Sequence, residues 1–329
     1  MDTADPGTTS ARSTVVIVTW RARDHLEHCL DALAAQTRPH RLLVVDNASD
    51  DGTADLLRAH PTSPEVLRLP ANSGYAGGMA AALRRVRTEF MVWLNDDAVP
   101  ARDWLAALED AADADPGAGA VSSLLRAEDG TVQSAGVGLT PDGHGRDLGA
   151  TTGVDGTAEP VEVFSFCGGA ALVRTEPLRA LGGVPESYFC YYEDTDTAWR
   201  LRLGGWRVLL APAAGVRHAH GASSAPGSPR FHRWNERNRL VTLVRCAPLP
   251  VALREVLRFT AITAALPLRR RLGRPTPDAA NFRVGLRLGV LGETLERTPE
   301  ALRFRRELGR RAVLDRTAVW RTWAGRDER

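Results

Sequence analysis

The sequence predicts an α/β protein with a doubly wound, mostly parallel, Rossmann-like sheet, followed by a basic helical region at the C-terminal end. Short β-branched runs alternate with segments of helical period up to about Leu94, the pattern of successive βαβ units. Acidic residues stand at the ends of two of these runs, Asp46 and the pair Asp96-Asp97, where ligands of such sheets bind. After Pro226 the pattern changes to Arg-rich amphipathic stretches separated by Pro, which read as helices with a charged face.

Thr14 to Trp20 (TVVIVTW) is a short apolar run of the kind buried in parallel sheets. Asp24 can cap a helix in which Leu26, Cys29, Leu30 and Leu33 recur at helical spacing. Leu42 to Asp46 is a second buried strand, and Asp50 or Asp51 can cap a helix through Leu57. Val66 to Leu69 is a third strand, Gly74 to Arg87 a helix that opens on glycines, and Phe90 to Leu94 a fourth strand. Beyond Gly117, Ala120–Leu125, Thr131–Val137, Val163–Phe166 and Gly169–Arg174 read as extended, around a Gly- and Thr-rich loop from Thr140 to Pro160. Glu176–Leu181 and Glu193–Leu203 read as helices, and Trp206–Ala211 as the strand that closes the sheet. The tail divides into helices near Phe231–Cys246, Val251–Leu266, Ala279–Glu296 and Pro299–Val313.

Composition narrows the function classes. An apolar share of 43% and a charged share of 25% over 329 residues are those of a soluble globular protein. All 42 basic residues are Arg, and the net charge of +2 is unevenly spread. Pro226 to Arg329 carries 23 Arg against 10 acids, a net +13, whereas the rest carries 19 Arg against 30 acids, a net −11. Cys29, Cys167, Cys190 and Cys246 show no C-x-x-C spacing, which speaks against a zinc ribbon or redox motif and fits a reducing compartment. Residues Met1 to Ser13 are small and polar, read as a disordered start rather than a signal peptide. No apolar run is long enough to span a bilayer, so a cytoplasmic location is expected, with attachment to the inner face of the plasma membrane through the tail as an extension of it.

Three clusters can carry chemistry. Paired carboxylates after a buried strand, Asp96 and Asp97, suit Mg²⁺ or Mn²⁺, hard ions that share oxygen ligands with phosphates; a solvated turn would show the same pair. Glu193, Asp194 and Asp196 open a helix beside Tyr188, Phe189, Tyr191, Tyr192 and Trp199. The helix dipole alone favours acids there, and aromatic walls raise a carboxylate's pKa toward that of a general base. His218 follows the last strand, where a structural His and a metal ligand look alike.

Taken in order, VVIVTW, VVDNASDDGT, NSGYAGG, LNDDA, CGGAALVR, YYEDTDTAWRLRLGGWR and the His218-x-x-Gly221-x-Ser223 pattern resemble glycosyltransferase family 2. More narrowly they are similar to its bacterial rhamnosyltransferase-like members, which build cell-wall and surface polysaccharides. The likeness covers about Thr14 to Arg245 and implies the nucleotide-sugar-binding GT-A fold over residues 14–225, with residues 226–329 as a separate helical region. By matching motif, Thr19 and Asp46 would contact the donor base, and Asn72, Gly74 and Gly77 would lie on the loop near the nucleotide and diphosphate. Asp96 would touch the ribose or metal, and Asp97 and His218 would hold Mg²⁺ or Mn²⁺. Asp194 would be the base, with Glu193, Asp196, Trp199 and Arg200 as acceptor-side or supporting residues. The chain departs from the family at Arg21, at Met79-Ala80-Ala81 and at Pro185-Glu186, and none of these removes a residue the chemistry requires.

The resemblance thus implies an inverting, metal-dependent hexosyltransferase. Its implied donor is dTDP-L-rhamnose, with a UDP-sugar as the alternative, and its implied acceptor a saccharide or lipid-linked hydroxyl. A nucleotidyltransferase would need a Gly- and Lys/Arg-rich phosphate loop where Thr19-Trp20-Arg21-Ala22 stands; a non-catalytic sugar- or nucleotide-binding homologue would be expected to lack one of the acids. The basic tail reads as a solvated helical face, a surface for anionic lipid around Arg269-Arg270-Arg271, or a homo-oligomer interface. Nucleic acid is not expected, because no binding motif accompanies the charge.

Overall fold

The computed structural model describes residues 11–149, 156–219 and 227–328. The first part is the expected alternation: β1 (Ser13–Thr19), α1 (Arg23–Ala34), β2 (His40–Asp46), α2 (Thr53–Ala59), β3 (Glu65–Arg68), α3 (Gly74–Leu83) and β4 (Phe90–Asn95). β1 pairs in parallel with β2 on one side and β4 on the other, and β3 extends β2. The strand order therefore reverses at β1, and a crevice opens beyond the carboxyl ends of β1, β2 and β4. Register sets these ends level: Thr19 lies opposite Asp46, and Val18 opposite Asn95.

The chain continues through β5 (Ala98–Pro100), α4 (Trp104–Ala114), β6 (Ala118–Arg126), β7 (Val132–Ser134), β8 (Val137–Leu139), β9 (Gly145–Asp147), β10 (Val161–Glu162), β11 (Ala170–Arg174), α5 (Thr175–Ala180), α6 (Glu193–Leu203) and β12 (Arg207–His218). The main sheet runs β10-β12-β6-β11-β4-β1-β2-β3, with β5 on β12 and β7 on β6. β11 is antiparallel to both β4 and β6, so its first residues lie at the carboxyl end of β4. β12 pairs antiparallel with β5, His218 opposite Ala98, which brings a distant segment beside Asp97.

Alternation along β1 sorts its side chains between two layers. Val15 and Ile17 pack with Leu26 and Leu30 of α1, Leu57 of α2 and Leu105 of α4. Val16 and Val18 pack toward Met79 of α3, in a core that also holds Leu201 of α6 and Leu240 of α7 (Pro229–Cys246). That core continues into α8 (Leu249–Arg271), α9 (Val284–Arg311) and α10 (Arg316–Trp323), through Phe259, Val290, Leu308 and Trp323. Residues from both sides of Pro226 thus share one apolar core.

Several expectations differ from the structure. α4 and α10 were not legible as elements, and Val163–Phe166 joins no ladder beyond a single bridge from Ser165 to Val137. Thr131–Val137 splits into β7 and β8 because Gly136 turns the chain at a φ of +87°. β12 does not close the sheet but lies between β6 and β10, and it runs on past Pro212 through an irregularity between Ala211 and Gly215. Such a bulge admits a residue that cannot donate to the ladder. The two helices expected on either side of Thr298 are one, α9, with Pro299 inside it. Proline costs a helix interior about 3 kcal/mol. Val290, Thr294, Ala301 and Leu308 are buried along its length, and that burial outweighs the lost hydrogen bond. Gly221 and Ser223, residues 1–10 and part of the Thr140–Pro160 loop lie outside the described residues.

Candidate active site

At the carboxyl end of β4, Asp96 and Asp97 are both buried, at 8% and 7% exposure. Burial lifts the Asp96 carboxyl to about 7; the Thr19 side chain opposes this and the charge of Asp97 adds to it. Burial pushes Asp97 the same way, but His218 overcomes it and holds Asp97 below the ordinary carboxylate value. His218 Nε2 lies 3.1 Å from Asp97 Oδ1 and 3.1 Å from Asn95 Nδ2. On the other side of the ring, Nδ1 faces Gln133 Oε1 at 3.0 Å, and Gln133 Nε2 donates to the His218 carbonyl at 3.0 Å. An Nδ1–H donated to Gln133 makes Nε2 the nitrogen that faces Asp97 Oδ1, joined to it by a hydrogen bond when Nε2 carries a proton and by a shared cation when its lone pair is free. Gln133 and Asn95 had no signal in the sequence, since one sits on a three-residue strand and the other reads as a strand end.

No group of three or more His, Cys, Asp and Glu with metal-holding geometry exists among the described residues. Asp97 and His218 make a pair. A pair fits Mg²⁺ or Mn²⁺, which are commonly held by one or two protein groups together with substrate phosphates.

At the end of β2 Asp46 is buried, its Oδ1 accepting from Ser49 N at 2.8 Å and its Oδ2 pairing with Arg68. Asn47 stitches this end to the start of α3, accepting from Ser73 N at 2.9 Å and donating to the Gly74 carbonyl at 3.0 Å. Asn72 is engaged by its own turn, its Oδ1 accepting from Gly74 N at 2.8 Å. Gly74 has a φ of +74°, and a Cβ there would lie 2.1 Å from the Phe189 carbonyl oxygen. A Cβ on Gly77 would lie 2.7 Å from Ser73 Cβ. In the described structure these glycines admit neighbouring protein atoms: the Phe189 carbonyl of the segment before α6 at Gly74, and the Ser73 side chain at Gly77.

That segment is unusual. Phe189, Tyr191 and Tyr192 have φ of 66°, 71° and 69°, values that cost bulky L-residues about 1–3 kcal/mol each. Phe189, with ψ of −63°, forms a positive-φ γ-turn closed by Cys190 N donating to the Tyr188 carbonyl at 2.8 Å. Phe189 packs on Trp234 of α7 with ring centroids 4.8 Å apart, and Tyr191 on Phe231 at 5.1 Å.

The three acids of α6 then separate, as a 100° step per residue requires. Asp196 is fully buried and pairs with Arg200 at 2.6 Å and Arg245 at 2.8 Å, with the Tyr188 hydroxyl donating at 3.1 Å. Arg200 is also fully buried and donates to the Leu181 carbonyl and to Thr197. Trp199 stacks on Trp320 at 5.9 Å and meets Phe164 edge-on at 5.4 Å. Asp196, Arg200 and Trp199 are all fully buried, with no exposed surface of their own. Glu193 is buried with its Oε2 unpaired among the described residues. Burial, reinforced by the charge of Asp194, lifts its pKa well above the ordinary range. Asp194 alone of the three is half-buried. Its Oδ2 accepts from Gly168 N at 2.9 Å and its Oδ1 from Thr195 N at 2.5 Å. Burial raises its pKa against these hydrogen bonds, which suits proton acceptance. Gly168, just before β11, belongs to the CGGAALVR block but carried no signal for this contact.

The doubly wound sheet thus brings carboxylates to its switch point, beside an acid-opened helix and a paired Asp and His, at the place where ligands of such sheets bind. Residues 14–182 match the family model Glycosyl transferase family 2. The N-acetylglucosaminyl-diphospho-decaprenol L-rhamnosyltransferase of Mycobacterium tuberculosis (strain CDC 1551 / Oshkosh) is 31% identical over 243 residues, covering 66% of this chain and 79% of that relative. A solved structure of GalNAc-T7 with UDP, GalNAc and Mn²⁺ superposes with a TM-score of 0.58 at 16% identity, over 73% of this chain and 48% of that one. The mannosyltransferase PcManGT from Pyrobaculum calidifontis, in complex with GDP-Man and Mn²⁺, gives 0.50 at 23% identity, over 95% and 80%. The chain belongs to glycosyltransferase family 2, has the GT-A fold and is a glycosyltransferase.

Proposed function

We propose that this enzyme transfers L-rhamnose from dTDP-L-rhamnose, with inversion, to a hydroxyl of a lipid-linked saccharide diphosphate at the cytoplasmic face of the membrane. The observation that carries the reading is the placement of Asp194: of the three acids opening α6 it alone is half-buried, held by Gly168 N at the cleft edge. The named activity of the mycobacterial relative supports the sugar and the acceptor class. In the reaction the acceptor oxygen attacks the anomeric carbon, its proton passes to Asp194, and the nucleoside diphosphate leaves with the electron pair of the broken C–O bond. One base with no second nucleophile leads to inversion, by analogy with inverting hydrolases. Asp97 and His218 would hold Mg²⁺ or Mn²⁺, which when bound offsets the charge gathering on the diphosphate. Asp46 and Thr19 would face the base and Asp96 the ribose or metal, with Asn72, Gly74 and Gly77 shaping the adjoining loop.

The donor is tested by thermal shift with dTDP-rhamnose and a set of UDP-sugars, with and without Mn²⁺. The expected result is a metal-dependent shift for dTDP-rhamnose. A shift for a UDP-sugar alone would overturn the donor and leave family membership standing.

We further propose that the C-terminal helices rest on anionic lipid. No helix among the described residues is long and apolar enough to cross a membrane, so the contact would lie in the interface. Residues 259–268 of α8 carry no charged side chain, yet Ala261, Ile262, Ala264, Ala265 and Leu268 are exposed, as are Leu288 and Leu295 of α9. Arg269, Arg270, Arg271 and Arg274 follow directly and are exposed. An apolar helical surface with an Arg collar matches a negatively charged leaflet, whereas two copies placed face to face would repel. Vesicles containing phosphatidylglycerol should bind the protein, and binding should fall steeply with salt, since exposed charges are screened over ~8 Å at physiological ionic strength. A salt-insensitive, concentration-dependent dimer with no vesicle binding would favour an interface between copies.

A further inference from the structure

We propose that Asn238 of α7 is a positioning residue for the transfer step, holding the Phe189–Tyr192 turn so that Asp194 meets the acceptor hydroxyl. The inference rests on the reading of Asp194 as the base. Every carbonyl of the turn has a donor. The Phe189 carbonyl accepts from Ala76 N at 3.0 Å, and the Tyr192 carbonyl from Asp196 N at 2.8 Å as α6 begins. The Tyr188, Cys190 and Tyr191 carbonyls converge on Asn238 Nδ2, at 3.1, 2.9 and 2.8 Å. Arg237 Nη2 adds a second donor to Tyr188 at 2.6 Å, and its Nε donates to Asn238 Oδ1 at 2.9 Å.

Three carbonyls pointing at one spot is a consequence of the left-handed residues. Right-handed or extended values would spread these carbonyls apart, toward different donors or water. An asparagine can answer all three by sharing one of its two hydrogens; a serine has one donor and an ionised aspartate none. Asn238 is fully buried, so water cannot take over its role. Without it the Cys190 and Tyr191 carbonyls lose their partner, the turn relaxes, and the residue next in the chain is the first of α6, with Asp194 directly after it. Displacement of a reacting group by about 1 Å costs on the order of 10²-fold in rate. Asn238 bonds to none of Asp46, Asp96, Asp97 or His218, and the Phe189 carbonyl that meets the Gly74 loop keeps its own donor in Ala76 N, so donor binding is expected to hold while turnover falls.

The test is a double-mutant cycle. Asn238→Ala and Asn238→Ser are each made in the wild-type and Asp194→Asn backgrounds, and assayed with dTDP-rhamnose and a short-chain prenyl-diphospho-N-acetylglucosamine. Donor affinity is measured separately by calorimetry. The expected result is a kcat lowered by about 10²-fold for Asn238→Ala and less for Asn238→Ser, with donor Kd unchanged. In the Asp194→Asn background neither change should lower kcat further, because two residues acting through one step are not additive. Loss of donor binding in step with turnover, failure to fold included, would overturn the proposal, as would the same 10²-fold loss persisting beside Asp194→Asn. Wild-type turnover by Asp194→Asn alone would remove the base reading, and with it the positioning role.

Discussion

Asp194→Asn is expected to lower turnover by about 10²–10⁴-fold, the usual share of general-base catalysis, while donor affinity stays near wild type. The substitution keeps the shape and can still accept hydrogen bonds from Gly168 N and Thr195 N, but it cannot take a proton. In the wild-type enzyme kcat should rise with pH as Asp194 loses its proton, at a value above that of an ordinary aspartate because burial raises its pKa. That limb should vanish in Asp194→Asn. The neighbouring acids should behave differently. Asp196→Asn removes the partner of two buried guanidiniums, Arg200 and Arg245. Breaking such a cluster costs about 3–5 kcal/mol, so its signature is a lower melting temperature with kcat per folded molecule retained. Glu193→Gln, which mimics a carboxyl already pushed toward its neutral form, should cost little. A dead Asp196→Asn that melts like wild type, beside an active Asp194→Asn, would place the base two positions further on.

Asp97→Ala is expected to abolish metal-dependent donor binding and to reduce transfer by about 10³-fold or more, as several kcal/mol of charge stabilisation are lost. His218→Ala should act in the same direction. Gln133→Leu is the subtler probe: it leaves both donors in place but frees the ring that Gln133 orients through Nδ1. Loss of such an outer partner typically costs about 10–100-fold in metal affinity, so Mn²⁺ titration of donor binding should shift by that factor while saturating Mn²⁺ restores turnover. Full transfer in EDTA would sink the metal assignment.

The clearest readings from the sequence were those with a local cause. β1 to β4 and their helices follow from apolar runs and helical spacing, and Asp46 and Asp96 mark strand ends whatever the rest of the chain does. α6 begins at Glu193 and ends at Leu203, because an acid-rich first turn and a following glycine signal both boundaries. What misled was burial. The tail's helices appear amphipathic in sequence, yet α7 is buried continuously from Glu236 to Cys246. The signal was present as Asn238, Thr242 and Arg245, polar residues at helical spacing on one face, but spacing does not say what such a face meets. Pro299 likewise looked like a helix boundary until α9 was seen lying along its buried side.

By itself, then, the sequence determined the alternation from β1 to β4, the family and the identity of the acidic clusters, because each is written in short local runs, seven of them in order for the family. Only the tertiary structure decided which acid is accessible, that Asp97 and His218 meet, and that α7 holds the turn before α6. Those outcomes depend on contacts between residues 47 to 121 positions apart, as Asn238 and Tyr191 or Asp97 and His218 show. Chain-distant contacts of this kind are set by which faces the core buries together, a choice made by the whole fold and by no local pattern.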